Sequence, residues 1–263
     1  MEKTELSIVI KDLKKFLKIN RNEIVNNLKE IVEIPSPSEC TPGTNEVGDF
    51  LIDLIKDMPF RIEKKSGGNF GNHVVAELMN DKRPRILFCG HMDTVFPIGS
   101  EWPFQIKNGR AFGPGVIDMK SGLILLIYAL KTLHYTCGIP VGVKIFFNSD
   151  EEQGSVNSGM LLPELVKNID LGIILEPAEP DGHIIVKRKG IGKFEVTVAG
   201  REAHAGKSPE MGINAILEIA HKIIEAQQLA NESLGTTINT GFVNGGRSPY
   251  IVPASACALI ESR

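Results

Sequence analysis

The apolar run Arg85-Ile86-Leu87-Phe88-Cys89-Gly90 leads directly into His91 and Asp93. Short runs of this kind are typical of buried strands in a parallel sheet. Two similar runs are followed by carboxylates: residues 141–148 precede Asp150, Glu151 and Glu152, and residues 171–175 precede Glu176. Because ligands gather beyond the carboxyl ends of strands in open α/β sheets, the three runs predict one edge lined by histidine and carboxylates. That pattern indicates a metal site.

Helical periodicity alternates with these strands. Helices are predicted over 21–34 and 45–58, from just after Asp118, and over about 158–168. Strands are predicted over 74–78, 86–89, 141–148 and 171–175. Because strands that alternate with helices pack as layers, the predicted fold class of this part is α/β.

The composition and hydrophobic pattern of the sequence change after Glu176. A loop rich in proline and glycine is followed by a predicted strand over 194–198, a helix over 211–230 and strands over about 236–243 and 251–262. This order is typical of a small two-layer α+β module. We therefore predict two domains, 1–185 and 186–263.

Composition excludes several classes of protein. The chain has 263 residues, of which 42% are hydrophobic and 23% charged, and its net charge is −3. Those values are typical of a soluble globular protein, and the chain lacks the excess of positive charge that nucleic-acid-binding proteins carry. No apolar stretch is long enough to span a bilayer, and four scattered cysteines show no CxxC spacing. A cytoplasmic protein that binds neither membrane nor nucleic acid is predicted.

Each candidate residue has an ordinary interpretation when it is taken alone. His91 and Asp93 point to the same side of an extended backbone, where a carboxylate can fix the tautomer of a metal-binding imidazole. A hydrogen-bonded structural pair is nevertheless the more common explanation. Asp118 fits either a helix N-cap or a carboxylate shared by two metals, and its own segment does not decide between them.

The acidic residues that follow the other strands are equally ambiguous singly. The tripeptide Asp150-Glu151-Glu152 could be solvated surface, and Glu176 could be a cap. Neighbouring glutamates can also take separate roles, one as a metal ligand and the other as a general base. Because all of these residues stand at turns or strand ends, the joint interpretation as a metal site is favoured.

Four motifs occur together and in order: Gly90-His91-Met92-Asp93-Thr94, Gly113-Pro114-Gly115-Val116-Ile117-Asp118-Met119-Lys120, Asp150-Glu151-Glu152-Gln153-Gly154-Ser155, and Glu176-Pro177. With them the chain resembles the ArgE/DapE/carboxypeptidase-G family of dinuclear zinc amidohydrolases and peptidases. Gly154-Ser155 and the surroundings of Asp118 are most similar to the glutamate-carboxypeptidase branch. The resemblance implies a mixed sheet with helices on both faces, and a ferredoxin-like lid and dimerisation domain that is only partly present.

The resemblance also implies a role for each residue. Two Zn²⁺ ions are expected, with metal ligands as follows: His91 and Glu176 on one zinc, Glu152 on the other, and Asp118 between them. Asp93 would orient His91. Glu151 would be the general base that takes a proton from the attacking water and returns it to the leaving amine. The family often has a cis peptide after the bridging aspartate, here Asp118–Met119.

The second domain resembles the family's lid. His204, in Ala203-His204-Ala205-Gly206, matches a histidine that reaches the active site of the partner subunit in a homodimer and stabilises the oxyanion. Arg263 matches an arginine that grips a substrate carboxylate. Apart from the resemblance, His204 is an ordinary loop histidine and Arg263 a chain-terminal arginine.

Two departures from the family pattern affect these expectations. Tyr250 stands where the family usually has asparagine, so a different pocket shape is expected. Family members continue for more than a hundred residues, and the histidine that completes the second zinc site lies there, so the chain is expected to be a fragment, truncated after Arg263. The favoured function is hydrolysis of a small peptide or N-acyl amino acid next to a carboxylate; the alternatives are an ArgE/DapE-type deacylase and a catalytically incomplete fragment that binds metal or dimerises.

Overall fold

The computed structural model describes residues 3–78, 80–99 and 102–263. The chain forms two compact units, Met1–Asp181 and Gly182–Arg263. The division falls in the Pro- and Gly-rich loop after Glu176, close to the boundary predicted after residue 185.

The helices of the first unit follow from its apolar periodicity. They are α1 (Lys3–Ile19), α2 (Arg21–Glu33), α3 (Thr41–Ile55), α4 (Ser121–Thr136) and α5 (Leu162–Leu165). Helix α2 ends where predicted, because Pro35 disfavours helical backbone at the preceding residue and Ile34 is extended. Within the described part of the chain, no helix is both long enough and apolar enough to cross a membrane.

The strands of the first unit are β1 (Phe60–Lys65), β2 (His73–Leu78), β3 (Arg85–His91), β4 (Gln105–Lys107), β5 (Arg110–Phe112), β6 (Gly142–Asn148) and β7 (Leu171–Ile174). Five of them form a sheet in the order β1-β2-β6-β3-β7. Strands β1, β2 and β6 pair antiparallel, whereas β6, β3 and β7 pair parallel. The three strands whose ends carry the candidate residues are therefore adjacent and point the same way, as predicted.

Both faces of this sheet are covered, so the predicted mixed α/β fold is confirmed. On one face, Ile31 of α2, Leu51 of α3 and Ile127 of α4 belong to the main core, together with Ile145 of β6. On the other face, Leu87 and Phe146 pack in a smaller cluster with Leu165 of α5. The alternation of strand side chains between the two clusters is the two-residue period of a β-strand.

Some predicted elements were wrong or incomplete. The helix predicted over 158–168 is only the short α5, preceded by a 3₁₀ turn at Ser158–Met160, because Pro163 fits only a first helical turn and Asn168 adopts a left-handed conformation. Strand β1 and the hairpin of β4 and β5 were not predicted. The hairpin turn is Asn108-Gly109, both with positive φ, which is the strongest short-range hairpin signal.

The second unit contains β8 (Gly192–Ala199), α6 (Ala215–Gln227), β9 (Ile238–Gly245) and β10 (Ser255–Ser262). Its three strands form an antiparallel sheet in the order β8-β10-β9. Helix α6 packs on it through Ala215 and Ile219. The helix begins later than predicted because the Asn214 side chain caps it, accepting the Leu217 N–H at 3.0 Å.

Helix α4 offers a matched test of the core. Leu130 is 3% exposed, whereas Leu125 on the same helix is 65% exposed. Leu130→Ala is expected to lower the free energy of unfolding by about 2–5 kcal/mol, since it removes apolar contacts and leaves a cavity. Leu125→Ala is expected to change it by about 0.5 kcal/mol or less. Urea unfolding of the two variants checks this, and equal costs would contradict the assigned faces of α4.

Candidate metal centre

The centre is built at the carboxyl ends of the three parallel strands. His91 is the last residue of β3 and pairs with Asn148 at the end of β6. The pairing of β3 with β7 is extended by the Leu175 N–H, which donates to the Cys89 carbonyl at 2.8 Å, so Glu176 follows directly at the same edge. Strand register alone therefore brings His91, the turn after β6 and Glu176 together.

The motif that contains Asp118 reaches this edge through a tight contact. A Cβ at Gly90 would lie 2.7 Å from both Met119 Cε and Leu123 Cδ2, so a larger residue there would force these two side chains to shift. The His91 N–H donates to the Met119 sulfur at 3.2 Å. Between Asp118 and Met119 the peptide is cis, as expected. The packing of this loop presents Asp118 to His91.

Three potential ligands converge in the first unit. His91 Nε2 lies 3.0 Å from Asp118 Oδ1 and 3.4 Å from Glu176 Oε1. The three ligand atoms all lie within 4.8 Å of one another. Glu151 Oε2 is 4.0 Å from the same nitrogen, and Glu152 lies outside the three-residue group. His91 itself is buried, whereas Asp118 is half exposed, so the centre opens toward solvent on the aspartate side.

Asp93 is fully buried behind His91. The His91 Nδ1 is 2.9 Å from the Asp93 carbonyl oxygen and 3.3 Å from its carboxylate Oδ1. A proton on Nδ1 would satisfy these acceptors and leave Nε2 free to bind a metal, which is the usual arrangement of a histidine ligand. The Ser38 hydroxyl donates to Asp93 Oδ2 at 2.7 Å and fixes that carboxylate.

The turn after β6 is attached to the same aspartate. The backbone N–H groups of Glu151 and Glu152 donate to the two Asp93 carboxylate oxygens at 3.3 and 3.2 Å. Asp93 therefore contacts both His91 and the backbone of the two adjacent glutamates. One buried carboxylate thus sets the relative positions of the histidine and the acidic turn.

The electrostatics favour a cation at this centre. Burial lowers the pKa of His91, but its bonds to Asp93 and Glu176 outweigh that effect and raise the pKa to about 11. Burial raises the pKa of Glu152 to about 7, aided by the charges of Asp118, Asp93 and Glu151 against the opposing charge of His91. The pKa of Glu151 is also raised, first by burial. Imidazole and carboxylate groups are both ligand types of zinc. The negative charge of the neighbouring carboxylates also favours a divalent cation.

The two remaining predicted residues belong to the second unit. His204 is exposed, and its Nδ1 accepts the N–H groups of Gly206 and Lys207, each at 3.1 Å. Because Nδ1 accepts, the neutral ring carries its proton on Nε2. Arg263 is exposed at its side chain, and its Nε donates to Glu261 Oε1 at 2.5 Å. The functional roles of both residues stay predictions.

Two residues near the centre were not predicted to contribute. Ser38 follows a Ser-Pro pair, and no sequence signal indicated that its hydroxyl would reach a residue 55 positions away. Lys120 is buried, and its Nζ donates to the Ile34 carbonyl at 2.7 Å, which joins the Asp118 loop to the end of α2. Burial lowers the pKa of Lys120 to about 7. Its place within the Asp118 motif could have drawn attention to Lys120, but nothing in the sequence indicated that this lysine would be buried.

Several known peptidases are similar to this chain in sequence or in fold. Carboxypeptidase G2 of Pseudomonas sp. is 28% identical over 246 residues, covering 91% of this chain and 59% of that protein. The aminopeptidase PepT of Bacillus cereus superposes with a TM-score of 0.75 at 27% identity, over 93% of this chain and 66% of that one. The M20 family metallo-carboxypeptidase Sso-CP2 of Sulfolobus solfataricus has a TM-score of 0.73 at 21% identity, over 92% and 71%, and shows the shared fold.

The chain spans about three fifths of the length of the curated relatives it matches. The profile of Peptidase family M20/M25/M40 matches residues 87–254, which include the four motifs and the loop that contains His204. The family resemblance drawn from those motifs is thereby confirmed. With the profile match, the fold and the converging ligands in agreement, the chain belongs to Peptidase family M20/M25/M40.

Proposed function

We propose that this chain carries the centre of a zinc-dependent carboxypeptidase or amidohydrolase, which cleaves a peptide or N-acyl amide bond next to a free carboxylate. The observation that carries the proposal is the convergence of His91, Asp118 and Glu176 within 4.8 Å, with the Glu151 carboxylate 4.0 Å from His91 Nε2. Family membership and the similarity to carboxypeptidase G2 support it.

The residues of this chain would divide the work. His91, Asp118, Glu152 and Glu176 would hold the metal ions, which when bound polarise a scissile carbonyl and lower the pKa of water. Glu151 would accept the proton of the attacking water and deliver it to the leaving amine. Its raised pKa favours this exchange, because a general base is most effective when its pKa lies near the working pH.

His204 would act on the developing oxyanion in this proposal. With Nδ1 accepting two backbone N–H groups, the ring is held with its Nε2–H available as a donor. Arg263 would bind the substrate carboxylate with its planar guanidinium. A homodimer formed through the second unit would bring His204 to the partner's centre, and light scattering of the purified protein would test for that dimer.

The test combines metal analysis with a matched pair of substrates. The purified chain is stripped with a chelator, reloaded with zinc and analysed for zinc per chain. Hydrolysis is then compared for N-benzoylglutamate and for its derivative with the α-carboxylate converted to an amide. Bound zinc with a preference for the free carboxylate is the expected result. Zinc content well below one ion per chain, or equal rates on the two substrates, would contradict the proposal.

A further inference from the structure

Asp150 is a buried carboxylate that the proposed chemistry does not use. It directly precedes Glu151, and it is completely buried. Its Oδ2 accepts the backbone N–H groups of Asn157 and Ser158 at 2.6 and 3.1 Å. Its backbone oxygen accepts the N–H groups of Gln153 and Ser155 at 3.3 and 2.8 Å. The turn 150–158, called here the acidic turn, is thus closed around Asp150 at both ends.

The acidic turn needs the support of these side-chain bonds. Gly154 and Ser155 both have positive φ, at 84° and 55°, and the left-handed region is unfavourable for a serine. Between Asp150 and these residues lie only Glu151–Gln153, a single 3₁₀ turn. Local backbone preference therefore does not hold this shape, and bonds from side chains must do so.

A second set of bonds attaches the acidic turn to the start of β2. The Asn157 Oδ1 is 3.0 Å from Nε2 of His73, which is fully buried. The His73 Nδ1 accepts the Ser149 N–H at 3.2 Å, so the neutral ring carries its proton on Nε2 and donates it to Asn157. The Ser149 hydroxyl donates to the Gly71 carbonyl at 2.6 Å. The far end of the acidic turn is thereby fixed to the sheet.

We propose that Asp150, supported by the His73–Asn157 pair, is a positioning residue that sets the placement of Glu151 and Glu152. Asp93 holds the backbone of these two glutamates on the side of the centre, and Asp150 closes their turn on the side of the protein interior. The function of Glu151 and Glu152 rests on the proposed hydrolase, but the constraint on their turn does not.

Three variants separate the parts of this proposal. Asp150→Ala removes the acceptor of two buried N–H groups. Asp150→Asn keeps one oxygen for them, and its amide would occupy the position of Oδ1, which bonds no group among the described residues. Asn157→Ala cuts only the bond to His73 and affects a half-buried side chain, so this variant should fold even if Asp150→Ala does not.

Asp170→Asn is the matched control. The Asp170 carboxylate also accepts a backbone N–H, from Arg85 at 2.7 Å, but it lies at the opposite end of β3. Any general effect of changing a backbone-capping aspartate would appear in this variant too. An effect specific to the acidic turn would not.

The first readout is amide hydrogen exchange of residues 151–158, measured by mass spectrometry without metal. Asp150→Ala is expected to speed exchange there about 10–100-fold, because two backbone N–H groups lose their bonds to a charged acceptor. Asn157→Ala should speed it less, Asp150→Asn should restore near-wild-type rates, and Asp170→Asn should leave it unchanged. Unchanged exchange in both Asp150→Ala and Asn157→Ala, or an equal increase in Asp170→Asn, would overturn the proposal.

The second readout is kinetic and applies once hydrolysis is established. Asp150→Ala is expected to lower kcat about 10–100-fold with KM within about twofold, because positioning of the base matters in the transition state. Unchanged kcat beside faster exchange would overturn the positioning role. Absence of hydrolysis in the wild-type chain would count against the proposed function, while the exchange result would still decide whether Asp150 holds the turn.

Discussion

Glu151→Gln is expected to lower kcat for amide hydrolysis about 10³-fold while the chain keeps its metal. The glutamine cannot accept the proton of the attacking water, and general acid–base catalysis contributes about 10²–10⁴-fold. Glu151 lies 4.0 Å from His91 Nε2 and is not one of the three converging ligands, so metal content should stay near wild type. The measurement is kcat and KM together with zinc per chain.

The control for this variant is Glu164→Gln, the same change at an exposed carboxylate on α5. It should leave kcat and zinc content unchanged. If Glu151→Gln retained hydrolysis within about tenfold of wild type, the general-base role would be wrong, since even a weak base contributes about 10²-fold. Loss of zinc in Glu151→Gln would instead reassign Glu151 as a ligand.

Asp118→Asn is expected to weaken zinc binding by more than about 100-fold. Replacing residues that only support a ligand costs about 10–100-fold in metal affinity, so removing the charge of a ligand should cost more. Asp118 Oδ1 lies 3.0 Å from His91 Nε2, and its side chain is 51% exposed, so the substitution should not disturb the core. Hydrolysis should fall in parallel with zinc content, and zinc titration against a competing chelator measures the affinity.

Asp53→Asn, at an exposed position of α3, is the matched change away from the centre. Its zinc affinity should equal that of the wild type. Wild-type affinity in Asp118→Asn would show that this carboxylate is not a ligand, despite its position beside His91. A uniform loss in both variants would point to a general effect of net charge.

The main strands, and the common edge at which three of them end, were predictable because local patterns specify them. The run before His91 is apolar and short, and its parallel pairing with β6 and β7 follows from the helices between the strands. Elements without such a pattern were missed. Strand β1 alternates apolar Phe60 and Ile62 with charged residues, which leaves its side chains partly exposed and its signal weak. The length of α5 was overestimated because Pro163 interrupts an otherwise helical pattern.

The sequence by itself predicted that His91, Asp118 and Glu176 would come together, because each stands at the end of a strand or beside a glycine turn within a family motif. Only the tertiary structure decided how they are held. The bond from Ser38 to Asp93, the closure of the acidic turn by Asp150 and the link from Lys120 to Ile34 join segments distant in the chain or rest on backbone geometry. Whether a side chain can bind a metal depends on its residue type, which the sequence gives directly. Where that side chain lies depends on buried hydrogen bonds that form only when the chain folds.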